Sequence, residues 1–540
     1  MTKLALLVAI AATLMWVTTA TAAKPLCVGG PGCYATIQAA LDAASDGDRV
    51  QIGPGTYPGG VTVLKSVTLA GAGANATTIS GGGPVVTIGE FLGTKQLDVT
   101  ISGIKVTGGV STSSPLSTEW VGEEDVIALG GGIAIQPQVG FSTGARVTVR
   151  DSVVSGNRAA PTATVPFGPP CPSGPCPFAW AKGGGIDNWG ELTLVHSNVS
   201  DNRAAGAASD ATGGGINVWW PGKLTLTDSR ITGNRALAST PNGRFAEGGG
   251  IFTDEGIELT IRGSVVNDNA ARLESVLPYF VGDDDGHTID MNANGGGIHA
   301  GNESSIDIRD SQINRNTASV DDPNGEPFAF DSAIHPGEED ATLVLLDSTI
   351  DGNRVIANVG SSEHVGPSGS AMDLIGTSTV ARTRITNNTT LVVSPNGVAQ
   401  ASGGAFLAGS ASPKRITDSV IRGNRAEARS TTGFASLIGA AIANDGNLEL
   451  RNVQLSDNAG VVSAPTGFAY GGGIWNGDLF WGGPRSLSLW NTSVTRNSLT
   501  GSSPGITLLG AGLYTPDYSV SLNDSRVTGN TPALDQCVGC

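Results

Sequence analysis

The sequence predicts an all-β chain folded as a single-stranded right-handed parallel β-helix solenoid with an N-terminal capping helix. The first observation is a quartet of small residues, of the Gly-Gly-Gly-Ile type, that begins at Gly130, Gly183, Gly213, Gly248, Gly295, Asp331, Gly369, Gly403, Gly439, Gly471 and Gly510. About twenty residues after each comes an asparagine closing a Ser-x-Val-x-x-Asn phrase: Asn157, Asn202, Asn234, Asn269, Asn316, Asn353, Asn388, Asn424, Asn458, Asn497 and Asn530. A period of roughly 32 to 47 residues held over most of a chain is the mark of a solenoid. The second observation is the inside of one repeat. Residues 183–202 hold three short alternating runs, Gly185-Ile186-Asp187, Leu192-Thr193-Leu194 and Ser197-Asn198-Val199, and alternation is the period of a strand. The third is that no segment between these runs carries a useful helical period, which excludes helical repeats. The Gly-Gly-x-Gly-x-Asp pattern of calcium-binding nonapeptide solenoids does not occur either.

Each part of the repeat then has a physical task. Coils stacked ~4.8 Å apart put every inward side chain on its own copy in the next turn. Ile186, Ile216, Ile251, Ile298, Ile334, Met372, Phe406, Ile442, Ile474 and Leu513 are expected to form one such internal column. The asparagines are expected to form another at a corner, their amides bonded along the axis. The quartet glycines allow a tight corner at positive φ.

The paired Gly-Gly-Gly-Ile and Ser-x-Val-x-Gly-Asn phrases resemble the repeats of bacterial right-handed parallel β-helix surface proteins. They are most similar to polymorphic outer-membrane-protein repeats, within the pectin-lyase-like superfamily, and the likeness covers about residues 34 to 530. The resemblance implies the fold and, with it, a secreted or cell-surface location. It implies no single activity, because this fold hosts lyases, hydrolases, epimerases, adhesins and inert stalks.

Domain organisation follows in chain order. Residues 1–22 read as a signal peptide: Lys3, an apolar run from Leu4 to Val17, then Ala20-Thr21-Ala22. Residues 23–48 form an N-terminal cap with an amphipathic helix over Thr36 to Ala44, Thr36 at its start and Ile37, Ala40, Leu41 and Ala44 on one face. Such a helix covers the open end of the first coil, where unpaired strand edges invite aggregation. Residues 49–535 make a β-helix of roughly fourteen coils, ~65 to 70 Å long, and residues 536–540 a Cys-x-x-Cys tail. The entry segment through Gly53-Pro54-Gly55-Thr56-Tyr57 also resembles that of many pectin-lyase-like proteins. Six cysteines fall in close pairs, Cys27 with Cys33, Cys171 with Cys176 and Cys537 with Cys540, which in an exported chain favours disulfides. A redox-active or zinc-binding role for Cys537 and Cys540 stays open beside that reading.

A formal net charge of −17 argues against nucleic acid and anionic lipid as partners. It disfavours strongly anionic polysaccharides unless a cation mediates. After residue 22 no apolar segment is long enough to span a bilayer as a helix, the C-terminal region lacks the strands of a membrane barrel, and the chain is expected to be a monomer.

Candidate sites come from departures within the repeat. The residue after the inward isoleucine reads Ala134, Asp187, Asn217, Phe252, His299, His335, Asp373, Leu407, Ala443, Trp475 and Tyr514, and alternation predicts that it points outward. His299, His335 and Asp373 stand there in three consecutive coils, in a chain with five histidines. Imidazoles beside a carboxylate suit a divalent cation or general acid–base catalysis on a glycan. In the second case His299 or His335 transfers the proton and Asp373 orients it. Asp283, Asp285 and His287, in a long loop, are further candidate metal ligands. Trp189, Trp219, Trp475 and Tyr514 are candidate sugar contacts, set against a role in covering coil corners. No Gly-His-Gly or Arg-Ile-Lys phrase of polygalacturonases occurs, nor the basic cluster of a calcium-dependent pectate lyase. Insertions enter between an asparagine and the next quartet, so stacking gathers them on one side of the rod. The functional expectation is an exported protein presenting that loop face to glycans or other surface proteins. The alternatives are a polysaccharide lyase or glycoside hydrolase working at His299, His335 and Asp373, and a passive structural stalk.

Overall fold

The computed structural model describes residues 26–114, 126–162, 179–206, 209–239, 244–274, 291–322, 325, 327–337, 340–360, 368–478, 485–516, 518, 520–533 and 536–540. Apart from one α-helix, α1 (Ile37–Ala43), and a single 3-10 turn, the described secondary structure is short strands, and every strand pairing is parallel. They form four sheets that run the length of a β-helix. Sheet I has 27 strands, sheet II 14, and sheets III and IV 11 each. Sheet II contributes one strand per coil.

The inward column is built as the period demands. Ile186 pairs with Ile216, Ile216 with Ile251, Ile251 with Ile298, and the register continues through Ile334, Met372, Phe406, Ile442, Ile474 and Leu513. All of these side chains are fully buried. The asparagine column is continuous too. Asn202 Nδ2 donates to Asn234 Oδ1 at 3.0 Å and to the Val154 carbonyl at 2.9 Å, while its own Oδ1 accepts from the backbone and amide of Asn157. The same pattern runs from Asn157 to Asn530, where Gln536 Oε1 accepts the last bonds at 2.8 and 3.1 Å. Each buried amide thus satisfies both its donors and its acceptor, which burial otherwise penalises.

Thr36 Oγ1 accepts from the Ala39 N–H at 3.1 Å and caps α1, whose Ile37, Ala40 and Leu41 are buried over the first coil. Lys65 Nζ closes the other end by donating to the Leu41 and Asp42 carbonyls at 3.1 and 2.7 Å. Cys27 is bonded to Cys33 and Cys537 to Cys540; Cys171 and Cys176 lie outside the described residues. Among the described residues no helix is long and apolar enough to cross a membrane.

Two expectations need correction. A complete coil holds five strands and not three. In one of them these are Ile186–Asn188, Glu191–Val195, Asn198–Ser200, Arg203–Ala204 and Asp210–Thr212. The extra two belong to sheets III and IV and come from the stretch of variable length between asparagine and quartet. That stretch alternates around buried alanines, Ala159, Ala204 and Ala236 on one side and Ala181, Ala211 and Ala246 on the other, and they form a second core separate from the isoleucine column. With side chains this small, Cα atoms of the two sheets come within 8 Å, closer than the ~10 Å between ordinary stacked sheets.

The second correction concerns the column from Ala134 to Tyr514, which is in register as expected but does not face open solvent. The quartet corner folds sheet IV back over it. Asp187, Asn217, Asp373, Leu407, Ala443 and Trp475 are buried, and only Phe252, His335 and Tyr514 are half-buried. The column lies at the bottom of a cleft between sheets I and IV, which opens as separate hollows beside Ala134, Phe252 and Trp475 with Tyr514.

The asparagine ladder is expected to be worth most in mid-rod. Asn269→Ala would leave the Asn234 backbone N–H and amide and the Ile231 carbonyl without their partner, and Asn316 Oδ1 with only the backbone N–H of residue 269. At about 1 to 3 kcal/mol for each unsatisfied group, tempered by relaxation, the loss should be at least about 3 kcal/mol. It should appear as a lower denaturation midpoint and as proteolytic cutting near residue 269.

Candidate metal centre in an axial groove

The site begins with a broken rule. In the quartet column the first residue takes positive φ, and nine of the eleven are glycine there, for example Gly295 at 58° and Gly439 at 59°. The reason is space as well as φ: a Cβ at Gly183 would lie 2.4 Å from the Ile186 carbonyl oxygen. In two consecutive coils the left-handed residue is instead Asp331, at 50°, and Ser370, at 68°. In the second of these the corner has moved one residue along, from Gly369 to Ser370. The neighbouring ladder loosens, with Asp331 N–H to Gly369 O at 3.3 Å and Ser332 N–H to Ser370 O at 3.4 Å, against 3.1 Å for Gly249 N–H to Gly295 O. A non-glycine residue held in this region costs about 1 to 2 kcal/mol, and such strain collects at functional positions.

These two corners assemble a cluster. His335 Nδ1 lies 2.7 Å from Asp331 Oδ2. The Ser370 hydroxyl sits between Asp331 Oδ1 and Asp373 Oδ1, 2.9 Å from the latter, and so bridges the two carboxyls. One ligand atom from each of Asp331, His335 and Asp373 lies within 4.8 Å of the others. Asp331 is fully buried, Asp373 is 5 % exposed and His335 is half-buried. Burial pushes the Asp331 carboxyl up to about 8, although the bonds from Ser370 and Asp373 oppose it. Burial, and then the charge of Asp331, hold Asp373 well above the carboxylate range. Two carboxyls this close share a proton instead of both ionising. The cluster is positioned to coordinate a divalent cation, which would take the place of that proton. Imidazole with two carboxylates suits a borderline ion such as zinc or manganese, with coordination positions left for a ligand.

Around the cluster the groove changes character along the axis. Phe252, His299 and His335 stack in consecutive coils, with centroids 5.1 and 4.7 Å apart. His299 is not in the coordinating group. Burial and the neighbouring His335 hold its imidazole well below the usual range, so it is neutral. Its Nδ1 has no partner, and Asn292 Oδ1 and Asn294 Oδ1 on the facing wall are likewise unpaired among the described residues. Toward the N-terminus, a hollow of about 160 Å³ is lined by Trp180, Lys182, Asp210, Phe245, Glu247 and Phe252. Lys182 Nζ sits 4.2 Å from the Trp219 ring centroid, and burial lowers its pKa. Burial raises the Glu247 carboxyl to about 7. Asp187 Oδ1 accepts from Asn217 Nδ2 and Trp219 Nε1, both at 2.9 Å, and burial pushes this carboxyl up to about 7. Toward the C-terminus, Phe468, Tyr470 and Tyr514 stack at 4.4 and 4.6 Å beside a hollow of about 300 Å³ that Trp475 also lines.

Of the candidate residues, the structure brings His335 and Asp373 together with Asp331 and sets His299 against them as a stacked ring. Trp189 and Trp219 stack on each other at 4.5 Å inside a buried cluster, 2 % and 6 % exposed, so neither offers a face to solvent. Trp475 is 7 % exposed and Tyr514 is half-buried at the C-terminal hollow. Asp283, Asp285 and His287 lie outside the described residues. The sequence reading passed over Asp331, Lys182, Asp210, Glu247, Asn292 and Asn294. For Asp331 a signal existed, because it alone replaces the first glycine of a quartet. The others lie in strands of sheet IV that were read as loop.

Asp331→Gly restores the repeat's own corner. It should stabilise the metal-free fold by about 1 kcal/mol and abolish the rise in thermal midpoint that Zn²⁺ or Mn²⁺ gives the wild type. A lower midpoint in the variant without metal would mean that the cluster holds the corner together. Asp187 allows a test of the groove's electrostatics. Its folded pKa, about 7, lies above the ~3.9 of an unfolded aspartate, so folding favours the protonated form. That contribution is full below about pH 4 and is lost as the pH rises to about 7. Asp187→Asn keeps the accepting oxygen and should remove this loss: the variant and wild type melt together at pH 4, and the variant melts higher at pH 8. No family model, no curated protein and no solved structure matches this chain, so the case for the cluster rests on its geometry.

Proposed function

We propose that the chain is an exported β-helix protein that binds an extended glycan along the axial groove, with a divalent cation at Asp331, His335 and Asp373 gripping the strand at its middle. The observation that carries this reading is the cluster at the two corners where the repeat abandons glycine, in a cleft whose hollows open on either side of it along the rod. The ring stacks on either side support it. Their faces are covered by one another, so they present apolar edges to a polymer lying along the axis, while the central polar groups bond hydroxyls. The signal-peptide pattern of residues 1–22 supports export.

Cleavage of the bound glycan is the second reading, favoured by the proton shared between Asp331 and Asp373 beside His335. Two-carboxylate hydrolysis fits poorly: it needs carboxyls ~5 to 9.5 Å apart, and the ligand oxygens of these two lie within 4.8 Å of each other, bridged by the Ser370 hydroxyl. A cation held by Asp331, His335 and Asp373 that would polarise an oxygen of the substrate fits better.

The test is affinity and turnover on a panel of linear polysaccharides, with and without chelator. Chelator and Asp331→Gly are each expected to weaken binding, and Tyr470→Ala with Tyr514→Ala to weaken it about two- to tenfold per ring. Binding that ignores chelator and Asp331→Gly would remove the cluster from the function. Failure to bind any glycan would remove the function itself.

A further inference from the structure

On the other side of the alanine-cored flange, away from the groove, the sequence repeats a second phrase. Asn157-Arg158-Ala159, Asn202-Arg203-Ala204 and Asn234-Arg235-Ala236 follow the asparagine corner in three consecutive coils. Arg158 pairs in register with Arg203, and Arg203 with Arg235. Their alanines face the flange core, so the three guanidinium groups lie on the outer face of sheet III, one strand spacing of ~4.8 Å apart. Three like charges at that spacing repel one another. The strain is visible at the middle one: burial, then the charges of Arg158 and Arg235, lower the pKa of Arg203.

In a chain of net charge −17 such a ladder should find carboxylates easily, and other arginines do. Arg272 pairs with Glu274 at 2.6 Å, Arg315 with Asp268 at 2.7 Å, and Arg496 with Asp457 at 2.7 Å. Arg158 reaches only the Ala205 carbonyl, at 3.2 and 3.3 Å. Among the described residues Arg203 and Arg235 have no ion pair or hydrogen bond from their side chains. Both line a hollow of about 850 Å³, which Asp268, Arg272, Glu274, Arg315 and Asp321 line further along. The next residues of the same column, Ala270 and Thr317, are small and leave the hollow open.

We propose that Arg158, Arg203 and Arg235 form a binding site for an anionic glycan strand, one oxyanion per sugar, laid along the rod. Planar guanidinium groups take carboxylate or sulfate oxygens in pairs. The repeat of an extended pyranose strand is close to the strand spacing, so successive sugars meet successive arginines. The bound anions supply counter-charge that the chain gives this column only in part, through the charge of Glu274 on Arg203. The net charge of −17 disfavours strongly anionic polysaccharide on the molecule as a whole, and this ladder is a local exception to it. It is separate from the axial groove and does not depend on the reading given for it.

The test uses the full mature chain and four probes: a sulfated glucan oligomer, a glucuronate oligomer, the uncharged glucan oligomer and inorganic sulfate, with affinities measured at two salt concentrations in the presence of chelator. One or both charged oligomers should bind, more weakly at high salt, and whichever binds tighter identifies the oxyanion. Arg203→Gln/Arg235→Gln should weaken that binding about tenfold or more with an unchanged thermal midpoint. Arg496→Gln, distant from the ladder, should leave it intact. Four results would each overturn the proposal: equal affinity for the uncharged oligomer, inorganic sulfate bound as tightly as the oligomers, no loss in the double variant, or no charged oligomer bound. A double variant that misfolds is replaced by Arg203→Lys/Arg235→Lys, which keeps the charge, loses the paired geometry and should fall between the two.

Discussion

The stacking of coils at one strand spacing governs everything else in this molecule, and the buried asparagine amides are what hold successive coils to it. Each amide bonds forward to the next asparagine and back to a carbonyl of the preceding coil, so a coil cannot slip by one residue without stranding several buried polar groups. The isoleucine column adds apolar burial but little register, because one aliphatic residue packs on another with tolerance. Polar groups that must be satisfied inside a dry core tolerate far less. Register enforced at one corner then propagates to every column of the coil.

That register gives a substitution in one coil a fixed neighbour in the next. A column that reads glycine nine times and then Asp331 and Ser370 places those two side chains against each other and against His335 and Asp373. The same rule stacks Phe252 on His299 on His335, and Arg158 on Arg203 on Arg235. Function in such a rod is written as a run of two or three departures in one column, since a single departure has no like-minded neighbour.

The alanine-cored flange converts a smooth rod into one with a groove. Without sheets III and IV the column from Ala134 to Tyr514 would lie open to water, and Asp187, Asp331 and Asp373 would be ordinary surface carboxylates. Covered by sheet IV, they lose solvent and their pKa values rise. The flange therefore supplies the low-dielectric setting in which a proton shared between two carboxyls, or a cation in its place, becomes the favoured state. The outer face of sheet III keeps its arginines in water, where repulsion is tolerable and an anion can reach them.

The sequence by itself determined the solenoid, the coil register, the asparagine ladder, the capping helix and the membership of the column that holds His299, His335 and Asp373. All of these follow from local period and from the requirement that identical positions stack. It did not determine which way that column faces. Alternation distinguishes the two sides of a strand, but it cannot say whether the outer side meets water or another sheet. That depended on the stretch between asparagine and quartet, whose length varies and whose runs, such as Ala179-Trp180-Ala181-Lys182, are too short to read as strands until they pair with their copies in adjacent coils. Only the tertiary structure decided that Asp331 joins His335 and Asp373, because the contact links two corners through a backbone bend that only packing reveals.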